Sequence, residues 1–303
     1  FTGLPVHSND HPMKIRGLAA ALTLLLFVTV FASALVPAAT ATFPVDDLRS
    51  GMVGVGRTVF EGDKLEDFKV HILGVLRNVI GTRRNLILAR LEGGPLAETG
   101  VIAGMSGSPV YIDGRLVGAV SYSLGQFSKE PIAGITPIDE MTDAAALGNT
   151  QRVRAASVEL AMPITQEGLQ ASLRQSFNWA RPFAGSAADV QVFGSNGTIN
   201  AAIGTMLRPI ATPLTMGGFD ANVIDPIASV FREQGFVPVM AGAQAGAQNA
   251  AVSTAPLRPG DPVGVTLMSG DMELGATGTV TEVDGNKVYA FGHPFYGLGP
   301  TQF

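Results

Sequence analysis

The chain of 303 residues contains no cysteine. That absence excludes disulfides and thiolate metal sites, and it removes the thiolate as a nucleophile, which turns attention to hydroxyls. Basic residues are outnumbered, 20 Lys and Arg against 25 Asp and Glu. No run of Lys and Arg with interleaved aromatics exists to follow a phosphate backbone, so nucleic acid is excluded as a partner. Histidine is scarce: of His7, His11, His71 and His293, only His71 and His293 follow the N-terminal segment, and these two do not stand at His-x-x-x-His spacing. A zinc site is therefore not expected. Gly51-Met-Val-Gly54-Val-Gly56 has a phosphate loop's glycines but lacks the following Lys-Ser or Lys-Thr and any helix pattern. Those glycines are expected in a turn or bulge, and no cofactor is expected.

What is present is apolar and turn-rich. Hydrophobic residues make up 46% of the chain, with 37 glycines and 19 prolines, a composition that favours a folded protein of short strands and tight turns. Residues 1–12 precede Met13 and read as sequence upstream of a natural start. Met13-Lys-Ile-Arg16, the apolar run Leu18 to Val36, and Ala39-Thr-Ala41 have the order of a secretory signal peptide. The run is also long enough to serve as a membrane anchor. The chain is accordingly expected to be exported, to the periplasm, the cell envelope or the medium. Because it stops at Phe303 directly after a patterned Gly-Pro stretch, a fragment of a longer protein is expected.

Residues 43–148 read as a β-rich half of about six strands. Phe68, Val70 and Ile72 alternate with Lys69 and His71, which sets His71 on the solvent face. Val110 to Ile112 and Leu116 to Val120 flank Asp113-Gly114, the residues of a type I′ hairpin. A helix should follow, capped by Thr136, with Pro137 in its first turn and Gly148 at its end. Residues 149–240 form a less legible α/β middle region. Within it, Asp225-Pro226 opens a helix whose Ile227, Val230 and Phe231 share a face before Gly235. Residues 241–255, rich in Gly, Ala and Gln, read as a linker. Residues 256–303 form a second β segment with its own Asp284-Gly285 turn.

Chemistry concentrates at Gly104-Met105-Ser106-Gly107-Ser108-Pro109. A serine hydroxyl needs a base to take its proton and amide donors for the oxyanion. Small residues around Ser106 permit a sharp turn that exposes a hydroxyl and aims backbone N–H groups at one point. Gly104 and Ser106 are the natural oxyanion donors. The segment then runs straight into the Asp-Gly hairpin, which is how trypsin-like barrels present a nucleophile. Ser108 is expected to support the turn.

This segment, with Val110-Tyr-Ile-Asp-Gly-Arg-Leu-Val-Gly-Ala-Val120, resembles the SpoIVB (stage IV sporulation protein B) peptidase family, whose nucleophile lies in Gly-Met-Ser-Gly-Ser-Pro. Gly275 to Thr281 and Phe291-Gly292-His293 are similar to that family's Gly-x-Gly-Thr-x-Thr stretch ending in Gly-His. The resemblance implies an exported serine endopeptidase acting on protein or peptide substrates. It further implies a mainly β, trypsin-like double β-barrel core with a few helices in the middle region, Ser106 as nucleophile and His293 as base. The segment order is reversed relative to the family, and no PDZ-like stretch is visible. The family's acid falls shortly before the serine segment, where the matching position holds Glu92; Asp271 and Asp284 are alternatives, and His71 is a reserve base. The rival reading is a non-catalytic exported β-protein that binds peptides or envelope partners.

Overall fold

The computed structural model describes residues 40–78, 84–124, 130–146, 162–163, 165–177, 207–233, 235–241 and 255–293. The chain divides into units 1–40 and 41–303, and the fold below belongs to the second. The signal-peptide segment and the linker core at 242–254 lie outside the described residues, among which no helix is long and apolar enough to cross a membrane.

Alternating apolar residues build a barrel. Its strands are β1 (Val53–Val59), β2 (Leu65–Leu76), β3 (Leu86–Glu92), β4 (Pro109–Ile112), β5 (Arg115–Ser123) and β6 (Ile132–Pro137). They run in the order β4-β1-β2-β3-β6-β5, and pairing of β4 with β5 closes the ring. Closure leaves no free edge in the ring. Phe68, Val70 and Ile72 of β2 point inward to meet Ile87, Ala89, Leu91, Val120 and Ile135, while His71 is only half-buried, as the alternation predicts. Asp113 and Gly114 carry φ of 50° and 73° and close the β4–β5 hairpin. Gly54 and Gly56 lie inside β1 rather than in a turn. A Cβ on Gly54 would sit 2.5 Å from the Tyr111 carbonyl oxygen, and one on Gly56 would sit 2.2 Å from the Phe68 ring. These glycines serve close packing.

Beyond β6 the helix Ile138–Ala146 follows directly. Thr136 does not cap it. Its hydroxyl instead pairs with Ser121 Oγ at 2.7 Å in a buried polar contact, and the expected stop at Gly148 lies outside the described residues. A short β7 (Arg208–Pro209) then pairs with β5.

The second sheet comprises β8 (Thr212–Gly217), β9 (Phe236–Met240), β10 (Pro262–Met268), β11 (Glu273–Asp284) and β12 (Lys287–Ala290), in the order β10-β11-β8-β9 with β12 on β11. β8 and β9 run parallel. They are therefore joined by a crossover, the helix Ala221–Glu233. Its buried Ile224, Ile227 and Phe231 pack on Leu214, Met216 and Phe236. The helix starts at Ala221, ahead of the expected Asp225, because the Asp220 carboxylate accepts the Asn222 N–H at 2.8 Å. Pro226 is accommodated inside it. Gly235, at φ 86°, follows as expected. The hairpin between β11 and β12 turns through Gly285 and Asn286, one residue later than predicted, since Asp284 pairs with Lys287. The protein is mainly β with few helices, as the sequence indicates; one barrel closes, and the second sheet is open.

Candidate active site

Ser106 lies in the loop between the short helix Leu96–Thr99 and β4. Two glycines with positive φ, Gly104 at 93° and Gly107 at 99°, give this loop its tight path. Its peptide groups are pinned almost throughout. Gly104 N–H donates to Ala211 O at 3.3 Å, Met105 N–H to Ile102 O at 3.3 Å, Gly107 N–H to Val120 O at 2.8 Å and Ser108 N–H to Met105 O at 3.0 Å. On the carbonyl side, Ser106 O accepts Thr279 N–H at 2.8 Å. Gly104 O accepts the Thr279 hydroxyl at 2.8 Å, and Gly107 O accepts the Thr281 hydroxyl at 2.7 Å. The Met105–Ser106 peptide is held only at its carbonyl, where Met105 O takes both the Ser108 N–H and the Ser108 hydroxyl. Among the described residues, the Ser106 N–H meets no carbonyl.

Ser106 is completely buried. Its Oγ makes no hydrogen bond to any described residue, His293 included. Ser108 is equally buried, but its hydroxyl is spent on the turn. Gly104, expected to offer an oxyanion donor, has its amide engaged by Ala211, and Pro213 lies within 3.6 Å of where its Cβ would be. The segment leading into β8 therefore covers this side of the loop.

His293 arrives from the second sheet. After β12, Phe291 and Gly292 take φ of 65° and 71°. A bulky residue in that region is strained, at a cost on the order of 1–3 kcal/mol, and persists where its surroundings enforce it. The Phe291 ring packs over Gly278 of β11, and Gly292 packs against β5. A Cβ on Gly292 would lie 2.8 Å from Ala119 Cβ and 3.1 Å from Ser121 Cβ. The His293 ring stands edge-on to Tyr122 and to Phe291, with centroids 6.5 and 6.4 Å apart, and its Nε2 is buried. Burial pushes the Tyr122 hydroxyl well above the usual tyrosine range. The serine loop rests on the same strand, because Val120 exchanges backbone hydrogen bonds with Gly107 and Ser108. The serine and histidine segments, far apart in sequence, thus both pack on β5.

The carboxylates are placed elsewhere. Glu92, at the end of β3, accepts His71 Nε2 at 2.8 Å and Lys69 Nζ at 3.0 Å on the exposed face. Those hydrogen bonds, from Lys69 first and then His71, hold its carboxyl below the ordinary glutamate value. It makes no contact with Ser106 or His293 among the described residues. Asp271 and Asp284 are both exposed. Glu282, which the sequence did not single out, is half-buried on β11. After burial itself, its charge is the next cause that pushes the Tyr111 hydroxyl up to about 12. The hydroxyls of Thr279 and Thr281 were also missed as contributors, although their Thr-x-Thr spacing puts both on one face of a strand.

Residues 39–141 match the family model described as SpoIVB peptidase S55, about a third of the chain. The matched span holds β1 to β6 and the serine loop and ends before β11 and His293. No curated protein and no solved structure matches the chain. The family match supports a serine peptidase.

Proposed function

We propose that the chain is an exported serine endopeptidase in which Ser106 is the nucleophile and His293 the base. The observation that carries this reading is the state of the serine loop: among the pinned peptides around Ser106, its own N–H meets no carbonyl of the described residues. An amide held rigidly beside a hydroxyl suits an oxyanion that forms one bond away. In the proposed step, Ser106 Oγ bonds to the substrate's carbonyl carbon while its proton passes to His293. The carbonyl oxygen takes the negative charge toward the Ser106 N–H. The imidazolium then protonates the leaving nitrogen as the C–N bond breaks, and water hydrolyses the acyl-enzyme by the reverse proton route. The acid expected at Glu92 is left out of the proposed step, because its carboxylate is held by Lys69 and His71. Export follows from the Met13 to Ala41 segment, and the N-terminal sequence of the mature chain tests it.

A serine-reactive fluorophosphonate probe tests the chemistry. Wild-type protein is expected to carry the adduct on the peptide containing Ser106, Ser106→Ala to carry none, and Ser108→Ala to keep it. Removing the base through His293→Ala should slow labelling about 10²–10⁴-fold. Equal labelling of Ser106→Ala removes the assignment. One observation favours the binding-only reading, namely the complete burial of Ser106 with no hydrogen bond from its hydroxyl. A folded wild-type protein that takes up no probe and cleaves no peptide would establish that reading instead.

A further inference from the structure

The serine loop is held by a strand far away in sequence. Thr281 reaches Gly107 across 174 positions, and Thr279 reaches Gly104 across 175. Both threonines are buried, Thr281 completely. At such positions valine would fill the same space without a polar atom to satisfy, so the hydroxyls are explained by the carbonyls they serve. With Thr279 N–H on Ser106 O, the two bonds secure the carbonyls of Gly104, Ser106 and Gly107 from one side. The fit is close: a Cβ on Gly107 would fall 1.9 Å from Thr279 O and 2.6 Å from Phe291 N.

We propose that Thr279 and Thr281 are positioning residues for acylation. Their hydroxyls fix the peptide planes on either side of Ser106, so that its N–H and Oγ keep one relation to an incoming carbonyl. This rests on the reading of Ser106 as nucleophile. The planes at Gly104 and Gly107 are where a positive-φ glycine would otherwise let the loop swing. A displacement of about 1 Å at such a site costs on the order of 100-fold in rate.

The test measures fluorophosphonate labelling rate, and kcat and KM on a peptide substrate, for wild type, Thr281→Val, Thr281→Ser, Thr279→Val and Thr277→Val. Thr277 lies on the same face of β11 and donates to no loop carbonyl. Thr281→Val is expected to lose about 10- to 100-fold in labelling rate and kcat, with KM changed less than about threefold. Thr281→Ser should recover most of that loss, and Thr277→Val should stay near wild type. Thr279→Val keeps the main-chain bond to Ser106 and should lose less. It decides the matter if Thr281→Val does not fold. Wild-type rates in both valine variants overturn the proposal, as does an equal loss in Thr277→Val or a failure of serine to rescue. A folded wild-type protein that takes no label removes the nucleophile reading itself, an outcome distinct from labelled wild type with indifferent threonines.

Discussion

In the barrel each strand has at least two partners, and the inward-facing residues of β2 and β3 are almost completely covered. In the second sheet β10 alternates between exposed and half-buried and buries none of its residues, while Val239, Met240 and Met268 remain exposed. The sheet's continuous buried stretch is Gly278 to Thr281, the part of β11 that lies on the serine loop. The barrel therefore encloses its core within the ring, whereas the second sheet buries one side under the helix Ala221–Glu233 and the Gly278–Thr281 stretch of β11 at the candidate site. A closed ring satisfies its backbone internally; an open sheet relies on what it leans against.

The sharpest way to break that arrangement is Gly107→Ala. Its Cβ has no room against Thr279 O, and φ of 99° strains any side chain. We expect loss of probe labelling and a stability loss of about 3 kcal/mol or more by denaturant unfolding. Wild-type stability would mean that β11 does not press on the loop. Next come core truncations, at about 3–5 kcal/mol for Phe231→Ala beneath the second sheet and about 2–5 kcal/mol for Ile135→Ala in the barrel. Hydrogen exchange should then show Phe231→Ala loosening β8 to β11 while β1 to β6 stay protected. Simultaneous loss in both would erase the distinction between the two regions.

Smaller effects follow. Gly114→Ala meets nothing within 4 Å but sits at φ 73°, so its cost is backbone strain alone, about 1–2 kcal/mol, with labelling retained. Glu140 has its carboxyl pushed above the ordinary glutamate value, chiefly by burial, although it accepts the Asn85 N–H at 2.7 Å. A raised carboxyl stabilises the fold fully below its unfolded value and loses that contribution as pH rises through the folded value. Glu140→Gln should therefore flatten the decline in melting temperature across that window; an unchanged slope would count against the shift. Smallest is Glu92→Gln, which weakens an exposed pair with Lys69 and His71 and should leave the unfolding midpoint close to wild type. A loss of Ser106 labelling in that variant would put the carboxylate in the reaction path after all.

What could be read in advance was what neighbours decide. The alternation through Phe68, Val70 and Ile72 and the Asp113-Gly114 turn are local signals, and they gave the barrel half and its hairpin correctly. The start of the helix at Ala221 was missed because Pro226 looked like a first-turn proline, while Asp220 had already supplied the cap. The parallel pairing of β8 with β9 leaves no local trace, since its register is set through the crossover helix. At the site, Ser106 announced itself through small residues around it. The engagement of Gly104 by Ala211, the Thr279 and Thr281 contacts and the partnership of Glu92 with His71 all join distant positions. Residue type suggests such contacts, and only the fold decides them.

The 174 positions between Gly107 and Thr281 also set a schedule. At ribosomal rates of about 5–20 residues per second, the serine loop is made on the order of 10–30 s before the strand that clamps it. Barrel strands β1 to β6 are already complete by then and pair largely with near neighbours in sequence. During that interval the carbonyls of Gly104, Ser106 and Gly107 lack the Thr279 and Thr281 donors that hold them. The geometry proposed for the Ser106 loop is thus completed only once β11 has been made.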